Sequence, residues 1–168
     1  MKKITLLLCL GLLGCSGSDN PQTSQKSGFE FQPVDLTTKV PRVDIHNDDA
    51  ILKSAGVLVK KISLGNDTEN KPKKIYEFGD SRLGAQVELS QSEMVLSWVT
   101  LKDTEEQKAK SLESIKIAQR VARAIFGDEG GKFVDETIQT GKGQQTTING
   151  HKILMTDCVG VCLMHIER

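Results

Sequence analysis

The chain has 168 residues, of which 38% are hydrophobic and 4% aromatic, and its 22 basic residues balance 22 acidic ones. Once terminal segments are set aside, that length suits one compact domain, and a net charge of zero gives no bulk attraction for nucleic acid. The scarcity of aromatic residues also argues against a stacking cleft for sugars or peptides.

Met1-Lys2-Lys3 is a positive start, and Ile4 through Leu13 is an apolar run well short of the roughly 20 residues a spanning helix needs. This is the pattern of a secretory leader occupying residues 1–14. Its end, Leu12-Leu13-Gly14-Cys15, resembles the lipobox of bacterial lipoproteins, with Leu three places before the cysteine and a small residue directly before it. The resemblance covers only the first fifteen residues. It implies thioether lipidation of the Cys15 sulfur by diacylglycerol, cleavage before Cys15, and acylation of the new amino group by a fatty acid such as palmitate. Several acyl chains on one residue anchor stably, because each buried methylene adds about 0.8 kcal/mol and a single chain is only marginal. Lipoproteins of enteric-type bacteria that stay at the inner membrane carry an aspartate after the cysteine. Ser16 stands there instead, so in a double-membraned cell the resemblance favours the outer membrane, facing the periplasm.

Loss of Lys2 and Lys3 with the leader makes the mature chain mildly acidic. From Cys15 to residue 28 the chain is Ser, Gly, Asn, Gln and Thr with Asp19, Pro21 and Lys26, and has no apolar residue able to join a core, the composition of a flexible tether. Residues 29–168 are expected to form one α+β domain. Phe29, Phe31, Val34 and Leu36 alternate and are interrupted by Pro33 and Pro41, which predicts an extended segment lying on that domain.

Asn47-Asp48-Asp49 marks a helix start that Gly56 cuts short, and Val57-Leu58-Val59 with Ile62 reads as a strand. A polar loop from Gly65 to Lys73 leads into a strand at Ile75-Tyr76-Glu77-Phe78 and a turn at Gly79-Asp80. Arg82 to Leu89 and Met94 to Leu101 are two extended runs, and the second is apolar on both faces, as a central strand must be. Thr104 with Gln107 fits a capping box opening a long helix, in which Leu112, Ile115, Ala118, Ala122, Ile125 and Phe126 recur at helical spacing up to Gly127. Its opposite face carries Lys108, Lys110, Lys116, Arg120 and Arg123, diluted by Glu105, Glu106 and Glu113, and reads as solvated. A shorter helix from Glu129 to Thr140 is weakened at its first turn by Gly130 and Gly131. Asn149-Gly150 between two apolar-alternating stretches predicts a tight hairpin, and Gly160 a second reversal. The expected fold is an antiparallel sheet with a helical insertion, one long and one short helix, packed on one face.

Of the 4 cysteines only Cys158 and Cys162 fall in the folded part, and an exported pair is expected to be oxidised. With Gly160 at the tip and Cys158 opposite Cys162, Thr156 would pair with Met164 and Met155 with His165. A short structural disulfide, contributing roughly 2 kcal/mol or less, is the main reading of the pair. The soft cluster Met155, Cys158, Cys162, Met164 and His165 invites copper or zinc, but strand alternation sends His165 to the face away from both cysteines. The three-residue gap is also wrong for a thioredoxin-type motif. His46 beside Asp44, Asp48 and Asp49 is a loop cluster that reads as solvated.

No Gly-rich phosphate loop, Gly-x-Ser-x-Gly elbow or His-Glu-x-x-His is present. The expectation is a non-catalytic envelope module without a cofactor, tethered through Cys15 and binding another envelope protein as an inhibitor, immunity or assembly factor. The alternative is a periplasmic metal- or thiol-handling protein using the C-terminal Cys/Met/His cluster. A third reading is a small hydrolase built on His46, Asp48 and Asp49.

Overall fold

The computed structural model describes residues 29–79 and 83–168. The leader, Cys15, the tether, and the Asp80 and Arg82 ends of two predicted elements lie outside the described residues.

A short helix α1 (Asp48–Ser54) opens with the Asn47 side chain accepting from Ala50 N at 3.1 Å, and Asp48 and Asp49 fill its first turn. The stretch predicted as a strand at Val57-Leu58-Val59 is irregular; pairing begins only at Lys61. Strands β1 (Lys61–Asn66), β2 (Pro72–Phe78), β3 (Ala85–Leu89) and β4 (Glu93–Val99) then run as an antiparallel meander. Their turns are held by side chains: Asp67 Oδ1 accepts from Glu69 N and Lys71 N, and Ser90 Oγ from Glu93 N.

Helix α2 (Glu105–Phe126) starts with Thr104 Oγ1 accepting from Gln107 N at 3.1 Å. Gln107 reaches back one residue further than a capping box requires, to Asp103 N. Gly127, at φ +72°, ψ −156°, ends α2 with an extended ψ rather than the expected left-handed cap, and α3 (Asp128–Thr140) begins at once. The chain closes with β5 (Gln144–Ile148), β6 (His151–Met155) and β7 (Val161–Glu167), and the predicted hairpin turn has Asn149 at φ 52° and Gly150 at φ 85°.

The seven strands form one antiparallel sheet in the order β1-β2-β3-β4-β7-β6-β5, so the α+β architecture with one long helix is the one expected. The run read as central is indeed the fourth of seven. One sheet face carries Val87, Met94, Leu96, Trp98, Ile153, Met155, Cys162, Met164 and Ile166 into a shared core with Ile115, Ala118, Ala122, Phe133, Val134 and Ile138 of the helices.

Residues 29–43 form a strap over the helix layer, as the Pro-broken alternation implies. Phe29 enters the core, Val43 N donates to Ala124 O at 2.9 Å, and Arg42 donates to Ile125 O. Arg123 is 5% exposed and not part of a solvated face. Its guanidinium donates to Asp35 O and Thr38 O of the strap and to Asp128 Oδ1 at 2.8 Å. Arg120 likewise ties α2 to Ala55 O after α1. Two basic residues that look alike in the sequence therefore work as staples between layers.

The glycines of α3 have a packing reason. A Cβ at Gly130 would lie 2.4 Å from Ala122 O and 2.7 Å from Phe126 Cβ, so only glycine lets the two helices approach this closely. Helix propensity favours Ala by about 1 kcal/mol, whereas forced overpacking costs about 1–3 kcal/mol, and contact with a backbone carbonyl leaves little room to relax. Gly130→Ala is therefore expected to lower unfolding stability by about 1–2 kcal/mol in urea titration; a rise in stability would contradict the packing.

Asp135 joins strap and helices: Oδ2 accepts from Val34 N and Oδ1 from Gln119 Nε2, both at 2.7 Å. Burial raises its carboxyl above the usual 3.8 despite these two bonds. A carboxyl raised in the folded state holds its proton longer there than when unfolded. The native state is thus favoured below the ordinary value and loses that advantage as pH climbs through the interval between the two values. Measured against Asp135→Asn, the parent should lose relative stability as pH rises from about 4, then level off. A difference that grows with pH would refute the assignment.

Candidate functional site

The helices that touch the sheet pack on one of its faces, and no helix among the described residues covers the other. Strand alternation sends to this open face a row running Ser63, Ile75, Glu88, Val95, His165, Leu154 and Gln145, one residue from each strand. Above the row sit Ser97 and Leu163, and Val161 follows on the same side. Val95 and Ser97 are buried between their neighbours, while Leu154 is 51% and Val161 49% exposed.

Two ion pairs and one histidine–carboxylate contact stand among these apolar residues. Lys73 pairs with Glu88, Lys152 Nζ with Glu167 Oε2 at 3.4 Å, and His165 Nδ1 with Glu93 Oε1 at 2.7 Å. The His165–Glu93 pair joins residues 72 apart in the chain and has no local sequence signal. It opens on a cavity of about 630 Å³ lined by Thr68, Lys152, Leu154 and Glu167 among others. The neighbouring hydroxyls do not complete a nucleophile: Thr68 leans on Glu93, and Ser92 donates to Asp67 Oδ2 at 3.1 Å. Glu88 and His165 stand in the row itself, beside Val95 and Leu154, so the face mixes apolar and charged side chains.

The disulfide is present: Cys158 and Cys162 are bonded, with Cα atoms 4.5 Å apart. The pairing below it differs from expectation. Met155 lies opposite Met164 and Leu154 opposite His165, one residue out of step with the predicted Thr156–Met164 and Met155–His165. The step falls at Asp157, which leaves the ladder to accept from Gly143 N at 2.7 Å, while Cys158 N donates to Gly141 O. As a result Met155 joins Met164 and Cys162 on the core side, whereas His165 stays on the open face. The five soft residues proposed for metal handling are thus divided between the two faces, and their two thiols are bonded to each other. Trp98 lies directly across from Cys162 on the same face and is fully buried, so the disulfide borders the largest side chain of the core.

His46 is a local matter: its N–H donates to Asp44 Oδ1 at 2.9 Å. Asp48 accepts from Arg168 at 2.5 Å, which ties the C-terminal residue to α1, and Asp49 belongs to the first turn of that helix. Cys15, where the sequence leads one to expect a lipid, lies outside the described residues. Among those residues no helix is long and apolar enough to cross a membrane. No family model, curated protein or solved structure matches the chain.

Closing so short a loop stabilises the fold by about 2 kcal/mol, and both sulfurs are buried. Cys158→Ala with Cys162→Ala should lower stability by about that amount. In the unreduced parent, alkylation under denaturing conditions should leave both positions unlabelled; two labelled thiols in that peptide would contradict the bond.

Proposed function

We propose that the chain is a cell-envelope lipoprotein, held on the membrane through Cys15, whose open sheet face binds another envelope protein without catalysing a reaction. Anchoring rests on Leu12-Leu13-Gly14-Cys15 behind a basic, apolar leader. Binding is supported by one observation: a sheet face free of helices on which Val95, Leu154, Leu163 and Val161 alternate with the Lys73–Glu88, Lys152–Glu167 and His165–Glu93 pairs. Affinity concentrates where apolar side chains are buried, and neighbouring charges select the partner. In a double-membraned cell, Ser16 favours the outer membrane, with the domain in the periplasm.

Geometry makes the two parts compatible. Phe29, the first described residue, lies in the strap over the helix layer and not on the open face. The 14 residues from Cys15 to Phe29 reach at most about 50 Å when extended. Confinement to that shell raises the effective concentration of the face toward a partner on the same membrane. An inhibitor, immunity factor or assembly factor needs just this: a surface, an address and no chemistry.

Two variants separate anchor from surface. Cys15→Ala should move the protein out of the membrane fraction while leaving the domain folded. Leu154→Glu with Leu163→Glu should leave it membrane-bound but reduce crosslinked partner after mild extraction by about tenfold or more, the loss expected for charge placed in an interface centre. Equal recovery of the same proteins by parent and double variant would remove the open face from the proposal.

A further inference from the structure

Between the strap, α1 and α2 lies a cleft of about 670 Å³, within the roughly 300–1,000 Å³ of small-molecule sites. Val34, Val40, Val43, Ala50 and Ala124 give it an apolar lining. Hydrogen bonds hold its walls in place. Arg123 holds the strap at Asp35 O and Thr38 O, Val43 N donates to Ala124 O at 2.9 Å, and Arg120 Nη1 fixes the end of α1 by donating to Ala55 O at 3.3 Å. Gly56 admits that last contact, since a Cβ there would lie 2.9 Å from Arg120 Nη1.

Charge in the cleft is only partly matched. Arg123 is paired with Asp128. Lys116 and Arg120, four residues apart along α2, and Lys53, in the last turn of α1, also line the cleft, and none of these three forms an ion pair among the described residues. Arg120 spends one nitrogen on Ala55 O and keeps the rest of its fork unpartnered. In a chain whose charges balance overall, three unpaired cations thus share one concavity. Gln119, 6% exposed and lining the same cleft, is half-satisfied: its Nε2 donates to Gln32 O and Asp135 Oδ1, whereas its Oε1 accepts from nothing among the described residues.

We infer that this cleft is a binding site for a small amphipathic carboxylate, its head among Arg120, Lys116 and Lys53 and its apolar body along Val34, Val40 and Val43. A carboxylate matches the planar donor fork of an arginine. Asp35 favours a singly charged head over a doubly charged one such as a phosphate monoester. It lines the same cleft, and hydrogen bonds from Thr37 and Thr38 hold its carboxyl below the usual 3.8, so it stays an anion there. Gln119 Oε1 is free to accept from a hydroxyl or amide N–H on the body. The site lies on the helix layer, separate from the open face, and stands whether or not Cys15 carries a lipid.

Octanoate carrying a diazirine on its chain, irradiated with the full-length protein in its native membranes, tests the assignment. The label should map to the strap, α1 or α2 stretches that line the cleft. Excess octanoate should displace it about tenfold or more better than octan-1-ol, which lacks the charge, or acetate, which lacks the body. Lys53→Glu with Lys116→Glu should cut labelling by about tenfold or more, while thermal unfolding stays close to that of the parent because both side chains are exposed. Lys53→Arg with Lys116→Arg should keep the labelling. Undiminished labelling of the Glu variant, or equal displacement by octan-1-ol, overturns the inference. Displacement by octyl phosphate at lower concentration than octanoate also overturns it, since the cleft would then be a phosphate headgroup site, and so does label found only on the open face.

Discussion

The structure turns on the antiparallel joint between β4 and β7. These strands are far apart in sequence, yet Glu93 through Val99 lie directly against Val161 through Glu167. Without that ladder there would be a four-stranded meander at one end of the chain and a two-hairpin unit at the other, with the helical pair between them. With it, Met94–Ile166, Leu96–Met164 and Trp98–Cys162 form three rungs of one core floor beneath α2. Because the rungs are non-local, their formation must outweigh the entropy of closing the loop that carries both helices. Ser114 helps to fix the position of α2 over the joint, donating to Val99 O and accepting from Val99 N.

The same joint creates the surface from which function is argued. Every residue sent downward into the core implies a neighbour sent upward, so Val95, Ser97, Leu163 and His165 come together on the open face for the same geometric reason that Leu96, Trp98, Cys162 and Met164 come together in the core. Helices on one face only, and a strap holding them there through Arg123 and Asp135, leave that surface available. The result is a sheet that presents a mixed apolar and charged face.

Much of this was legible in the sequence wherever the signal was local. The double-sided apolar run identified the central strand, Thr104 and Gln107 placed the start of α2, and Asn149-Gly150 placed the last hairpin but one. Non-local facts were not legible. Sequence spacing placed Cys158 opposite Cys162 correctly at the tip, but the step at Asp157 depends on Gly141 and Gly143, which arrive from the end of α3. The cost of Gly130 to helix propensity was visible, whereas its value in letting α2 and α3 touch was not. Arg123 read as one more surface cation because the carbonyls that receive it lie more than eighty residues earlier. Glu93 and His165 form the most conspicuous polar pair of the open face, and nothing in either neighbourhood names the other.

On the proposed function the open face, and not the helix layer, meets the partner. Placing a photoreactive residue at Leu154 on that face, and separately at Lys116 on the helix layer, and irradiating intact cells tests it directly. Position 154 should give a discrete, reproducible adduct and position 116 none of comparable yield. An adduct from position 116 with nothing from position 154 would contradict it.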